Sequence, residues 1–138
     1  MNRGTIAAHA AALAIVQASW NAAAHHWHSD RLTAVYADDA LFFGGRPGHS
    51  VGASAIRDYF ASYEGVIKSA RMELVEQHFI CLAEECFLAQ GFGEFSFALT
   101  GDRQSRSRLR TTLVIARQRD QWKIRQHHFS ASPEVPPI

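Results

Sequence analysis

Cys86-Phe87-Leu88-Ala89-Gln90-Gly91-Phe92-Gly93-Glu94-Phe95-Ser96-Phe97-Ala98-Leu99 decides the architecture of this chain. It carries Phe87, Phe92, Phe95 and Phe97, on both parities. It reads as one long strand. Downstream, Thr100-Gly101-Asp102-Arg103 is a turn, and Arg108 to Gln118 is a second long strand whose Thr111, Thr112, Val114 and Ile115 suit a pleated surface. Arg119-Asp120-Gln121 turns again into a strand from Trp122 to Ser130. The Pro-rich tail over residues 131–138 cannot continue a central strand. Upstream, Ala83-Glu84-Glu85 turns back to a strand around Met72 to Ile80, with Met72, Leu74, Glu76, His78 and Ile80 on one side by alternation.

The first half has helical spacing. Thr5 to His25 is alanine-rich, and Leu13, Val16 and Trp20 share one face. His9, Gln17 and Asn21 interrupt the apolar run that an export signal requires, so a mature helix is expected. Ser29 or Asp30 caps a short helix reaching about Tyr36. Ala40 to Phe43 is a short strand, Gly44 to Gly48 a loop, and Ala53 to Tyr63 a third helix with Ile56, Tyr59, Phe60 and Tyr63 on its stripe. Helices grouped first and antiparallel strands grouped after define an α+β domain spanning 1–138.

Composition narrows the partners. With 14 basic against 13 acidic residues the chain shows no basic excess, which argues against nucleic acid. No apolar run reaches the roughly 20 residues that cross a bilayer, so no membrane partner is expected. Two cysteines, Cys81 and Cys86, build neither a disulfide framework nor a four-ligand zinc site, which fits a reducing, cytoplasmic setting. Gly91-Phe92-Gly93 lies inside a strand with no helix after it, so it is not a nucleotide loop, and no cofactor is expected. His25, His26 and His28 cluster at the end of the first helix without a carboxylate at helical spacing other than Asp30, so no metal is expected either.

Three blocks then carry a family resemblance: Tyr36-Ala37-Asp38-Asp39-Ala40; Val51-Gly52-Ala53-Ser54-Ala55-Ile56-Arg57-Asp58-Tyr59-Phe60; and Arg117 to Ile124, followed by His127-His128-Phe129-Ser130-Ala131-Ser132-Pro133. With the order of elements, they resemble the nuclear transport factor 2-like superfamily. Its members include SnoaL-like cyclases, ketosteroid isomerase, scytalone dehydratase and the association domain of calcium/calmodulin-dependent kinase II. The resemblance implies a cystatin-like cone. Three N-terminal helices pack on a curved, mixed, mainly antiparallel sheet around an apolar pocket, and a homodimer forms through the outer sheet face. It implies a small apolar organic ligand, with isomerase, cyclase or dehydratase chemistry, or alternatively a non-catalytic ligand-binding or hub-type assembly domain. The base position of ketosteroid isomerase falls on Gly44, its tyrosine on Trp20 and its oxyanion Asp on Leu113 or Val114, so that proton shuttle is not expected.

The remaining candidates come from strand alternation. Glu94 shares a face with Gln90 and Phe92, Arg108 with Arg110 and Thr112, and Ile124 with Gln126 and His128. Within the resemblance, the face of the last-strand histidine is the pocket side. Glu94 and His128 are then an acid–base pair, with Arg110 or Thr112 as polarising donor. The rival reading pairs Glu94 with Arg110 across strands and leaves His128 half-buried. Trp20, Tyr36, Phe42, Tyr59, Gln90, Thr112 and Gln126 complete the expected pocket.

Overall fold

The computed structural model describes residues 2–138. The elements are α1 (Arg3–His25), α2 (Ser29–Thr33), β1 (Tyr36–Phe43), β2 (Ser50–Val51), α3 (Ala53–Ala61), β3 (Ile67–Ala83), β4 (Cys86–Leu99), β5 (Arg103–Gln118) and β6 (Gln121–Ala131). The six strands form one sheet in the order β2-β1-β6-β5-β4-β3. Strands β3 to β6 are an antiparallel meander, and β1 joins β6 in parallel. The strand expected at Cys86–Leu99 has those bounds.

Several boundaries differ from expectation: β3 is longer than Met72 to Ile80, β5 begins at Arg103 rather than Arg108, α3 ends at Ala61, and β1 begins at Tyr36 rather than Ala40. Helix α2 stops at Thr33, and its N-cap is His28, whose Nδ1 accepts the Arg31 N–H. Tyr36 belongs to β1, because Val35 and Tyr36 are drawn into the sheet: the Val35 carbonyl accepts the Ile124 N–H at 3.0 Å, and Tyr36 lies opposite Ile124. A β-branched and an aromatic residue gain more from a pleated, buried edge than from another helical turn.

The sheet curls around α1, and its concave face is the core. On β4 the odd positions, Phe87, Ala89 and Phe95, are buried; on β5 they are Thr111, Leu113 and Ile115. Curvature comes with broken alternation. On β3 the register slips between Val75 and His78, where Glu76 takes a positive φ of 52°. The extra residue makes a β-bulge, which bends a strand and raises its twist. Gly91 lies against the bulge: a Cβ there would sit 2.8 Å from the Val75 carbonyl oxygen. The slip also moves Phe79 to the concave side, beside His9 and Phe87, while Glu76 and His78 stay outside. On β6 the register slips between Ile124 and Gln126, leaving Arg125 as the extra residue.

Helix α1 also closes an edge. Strand β3 ends the sheet, and such an edge carries unpaired backbone groups. Gln17 and Asn21, four apart on one helix face, meet them: the Leu74 N–H donates to Gln17 Oε1 at 2.8 Å, the Met72 N–H to Asn21 Oδ1 at 2.7 Å, and Asn21 Nδ2 to the Met72 carbonyl at 2.8 Å. Two of the polar residues in the alanine-rich segment thus seat the helix on the sheet. Replacing Asn21 by Ala strands one backbone donor and one acceptor, and is expected to cost about 2–3 kcal/mol in chemical denaturation. Replacing the exposed Ser19 by Ala is expected to change stability by less than about 0.5 kcal/mol.

Candidate functional site

A cavity of about 410 Å³ opens at the wide end of the cone. Three elements build its walls. Helix α1 contributes Trp20, whose indole meets the Phe95 ring edge-on at 6.1 Å between centroids. The segment after α1 and the end of α3 contribute Trp27, Tyr59, Phe60 and Tyr63; Trp27 Nε1 donates to the Phe60 carbonyl at 3.0 Å, which locks that aromatic corner. The concave sheet contributes Phe95, Phe97, Leu109 and Phe129, with Phe95 and Phe129 edge-on at 4.9 Å. Gly45, Ser105 and Ser107 also line it, and no charged side chain does. This is an apolar enclosure of a size typical for small organic ligands.

Tyr59 is fixed at the entrance. The Gly45 N–H donates to its hydroxyl at 2.9 Å, and burial pushes the phenol well above its ordinary range. A Cβ at Gly44 would overlap the Tyr59 ring. A side chain at Gly44, where the resemblance to ketosteroid isomerase puts its base, would collide with the Tyr59 ring, and of the two residues at its oxyanion position Leu113 is fully buried and Val114 half-buried.

The expected catalytic pair is elsewhere. Glu94, Gln90, Arg110 and Thr112 lie on the even parity of β4 and β5, which is the convex face. The extra residue at Arg125 shifts β6 so that His127 and Phe129 point into the cone, while Gln126 and His128 point out. Glu94 does not pair with Arg110: its Oε1 accepts Arg108 Nη1 at 2.8 Å, and Arg108 also pairs with Glu76. Gln90 Nε2 donates to Thr112 Oγ1 at 2.9 Å, and Thr112 lies opposite His128. Glu94 lies opposite Arg108 and His128 opposite Thr112, so the two are separated by four residues along β5, about 13 Å. They share a face, but that face is outside the cone, and they stand too far apart to exchange a proton directly. His128 packs on Phe43 instead. Of the expected pocket residues, Trp20 and Tyr59 line the cavity, whereas Tyr36 and Phe42 form the layer behind it.

That layer holds a titratable pair that strand alternation hid. The Tyr36 hydroxyl and His127 Nδ1 are 2.8 Å apart, and both residues are buried. Burial pushes the Tyr36 phenol far up and holds His127 well below the usual imidazole range, with His128 adding a smaller effect in the same direction. Both groups are therefore neutral at physiological pH. His127 Nε2, its other ring nitrogen, has no hydrogen-bond partner among the described residues. Trp20 is the next donor to the Tyr36 oxygen and opposes the burial effect there, although its Nε1 makes no bond of full hydrogen-bond geometry. His127 is separated from the cavity by Phe129, whose ring centroid is 3.6 Å from its own.

Comparison with known proteins agrees with this architecture. Residues 14–134 match the family profile described as the SnoaL-like domain. The chain belongs to the SnoaL-like family. A solved structure from Xanthomonas campestris, assigned as a calcium/calmodulin-dependent protein kinase II association domain, is similar at a TM-score of 0.78 and 22% identity, over 89% of this chain and 87% of that one. One from Novosphingobium aromaticivorans, assigned as a scytalone dehydratase, is similar at 0.77 and 11%, over 96% and 89%. Hexachlorocyclohexane dehydrochlorinase from Novosphingobium barchaimii is similar at 0.68 and 16%, over 95% and 97%. At these identities the likeness concerns the fold. No curated protein matches the chain. No helix among the described residues is long and apolar enough to cross a membrane.

The buried imidazole makes stability depend on pH. His127 is neutral when folded and has an ordinary value near 6.5 when unfolded, so below that pH the unfolded chain takes up a proton that the folded one refuses. Stability is expected to fall on acidification from pH 7.5 to 5.5, at up to about 1.4 kcal/mol per pH unit. Denaturant midpoints measured for the protein and for His127→Gln, which keeps an acceptor for Tyr36, check this: the substitution is expected to flatten that limb.

Proposed function

We propose that this SnoaL-like protein binds a small, mostly apolar organic molecule in its cone. The observation that carries the reading is the aromatic cavity itself: open at one end, free of charge on its walls, and of about 410 Å³. Burying apolar ligand surface there gains about 25 cal/mol per Å². The rings that receive it are already fixed by their own packing, so little ordering cost offsets that gain.

Isomerase, cyclase or dehydratase chemistry in this cavity requires a proton-transfer group within reach of the bound molecule. Glu94, His128 and Arg110 lie on the convex side of the sheet, so the proton-transfer groups nearest the bound molecule are the Tyr59 and Tyr63 phenols on the cavity wall and, behind Phe129, the Tyr36–His127 pair. The similarity to a structure assigned as a kinase association domain favours a second reading, assembly without catalysis. Against the absence of catalysis stands the open aromatic cone, which assembly alone does not require. Homodimerisation through the convex face belongs to the same proposal. Its support is the half-buried Phe92, under the Arg108 guanidinium at 4.5 Å, together with Ile80 and Leu82 exposed on the neighbouring strand.

Binding is read through the chain's own fluorophores. Trp20 and Trp27 line the cavity and Trp122 does not. A neutral apolar probe, cyclohexylbutanol, is expected to change the emission saturably, and the change is expected to persist in Trp122→Phe. Leu109→Trp partly fills the cavity and is expected to weaken binding at least tenfold while leaving the melting temperature within a few degrees. An unaltered titration in this variant contradicts the reading.

A further inference from the structure

The cavity walls carry no charge, yet one cation is fixed against the entrance. Arg46 follows Gly45 in the loop between β1 and β2. Its guanidinium lies 4.1 Å from the centroid of the Tyr63 ring, one of the rings lining the opening. Two bonds to one residue of the α3 terminus hold it there: Nε donates to Ser62 Oγ at 2.7 Å and Nη2 to the Ser62 carbonyl at 3.1 Å. Its field also reaches the Tyr59 hydroxyl on the same rim, where it favours the ionised phenol against the effect of burial. Among the described residues, the ion pairs of this chain involve Arg57, Arg108, Arg117, Arg119 and Arg125, and none involves Arg46.

An arginine laid on an aromatic face and tied to a helix end has lost much of its rotamer freedom before any ligand arrives. Its Nη1 edge keeps free donors. A planar, singly charged carboxylate matches a guanidinium fork, whereas a doubly charged phosphate would retain charge that nothing else on this rim offsets. Resting on the proposal that the cone binds an apolar molecule, we infer that the ligand is an apolar monocarboxylate, its hydrocarbon part inside the cavity and its carboxylate at the rim on Arg46. Tyr63 then serves both parts, packing on the hydrocarbon and holding the guanidinium in place.

A matched pair of probes separates the two claims. Cyclohexylbutanoate and cyclohexylbutanol have the same hydrocarbon and differ at the head group, and both are titrated by tryptophan fluorescence at low salt. The acid is expected to bind about tenfold more tightly than the alcohol to the unaltered protein. Arg46→Gln is expected to remove that preference and leave the alcohol's affinity within about twofold, and Arg46→Lys to restore part of it. High salt is expected to weaken the acid selectively. If the alcohol binds as well as the acid, or if Arg46→Gln keeps the acid's preference, the assignment of Arg46 is overturned while the cavity reading stands. If neither probe binds, both fall together.

Discussion

Between Ile124 and Gln126, β6 carries one residue more than the strand beside it, and the side chains that follow are turned over. Because successive strand residues face opposite sides, one insertion reverses every side chain beyond it. His127 and Phe129 enter the cone and His128 leaves it. The interior built on that reversal is a continuous aromatic stack. Phe129 meets Phe95 on the cavity side and Phe42 behind, His127 meets Tyr36 and Phe42, and Phe60 joins Tyr36 and Phe42 to Trp27. The floor of the cavity and its buried polar pair are two sides of this one stack.

The β3 edge of the sheet is built by the same device. The bulge at Glu76 bends β3 toward α1, and Gln17 and Asn21 bond the backbone just before the bend, at Leu74 and Met72. Gly91 permits the bend because the bulged backbone crosses where a side chain would be. With the sheet bent at both bulges, the wide end of the cone stays open around Tyr59, Tyr63 and Leu109, the residues that meet any incoming molecule.

Much of the fold was legible in the chain. The span of β4, the helical face of Leu13, Val16 and Trp20, and the family resemblance all agree with the structure and with the family match. Alternation also placed Glu94 with Gln90, and Arg108 with Arg110 and Thr112, on common faces. It did not say which face was inside, because β4 carries aromatic rings on both: Phe87, Phe95 and Phe97 on one side, Phe92 on the other. Nor did it show the bulges, since Glu76 and Arg125 are ordinary surface residues whose effect is felt only in pairing. The strand glycines Gly91 and Gly93 were the available signal. Glycine within a strand is expected to mark a bulge or bend, and the β3 bulge does lie opposite Gly91. Tyr36 was picked out for the pocket, but its partner His127 could be found only after the last strand was shifted by one.

The central claim is that ligand chemistry belongs to the concave aromatic face and not to the polar convex one. The three indole N–H groups report on this directly in an amide correlation NMR spectrum, since Trp20 and Trp27 line the cavity and Trp122 lies outside it. On titration with cyclohexylbutanol, the account predicts that the Trp20 and Trp27 indole signals shift together and saturate while that of Trp122 stays in place. Shifts confined to the backbone amides of Glu94, Arg110 and His128, with the Trp20 and Trp27 indoles unmoved, would contradict it.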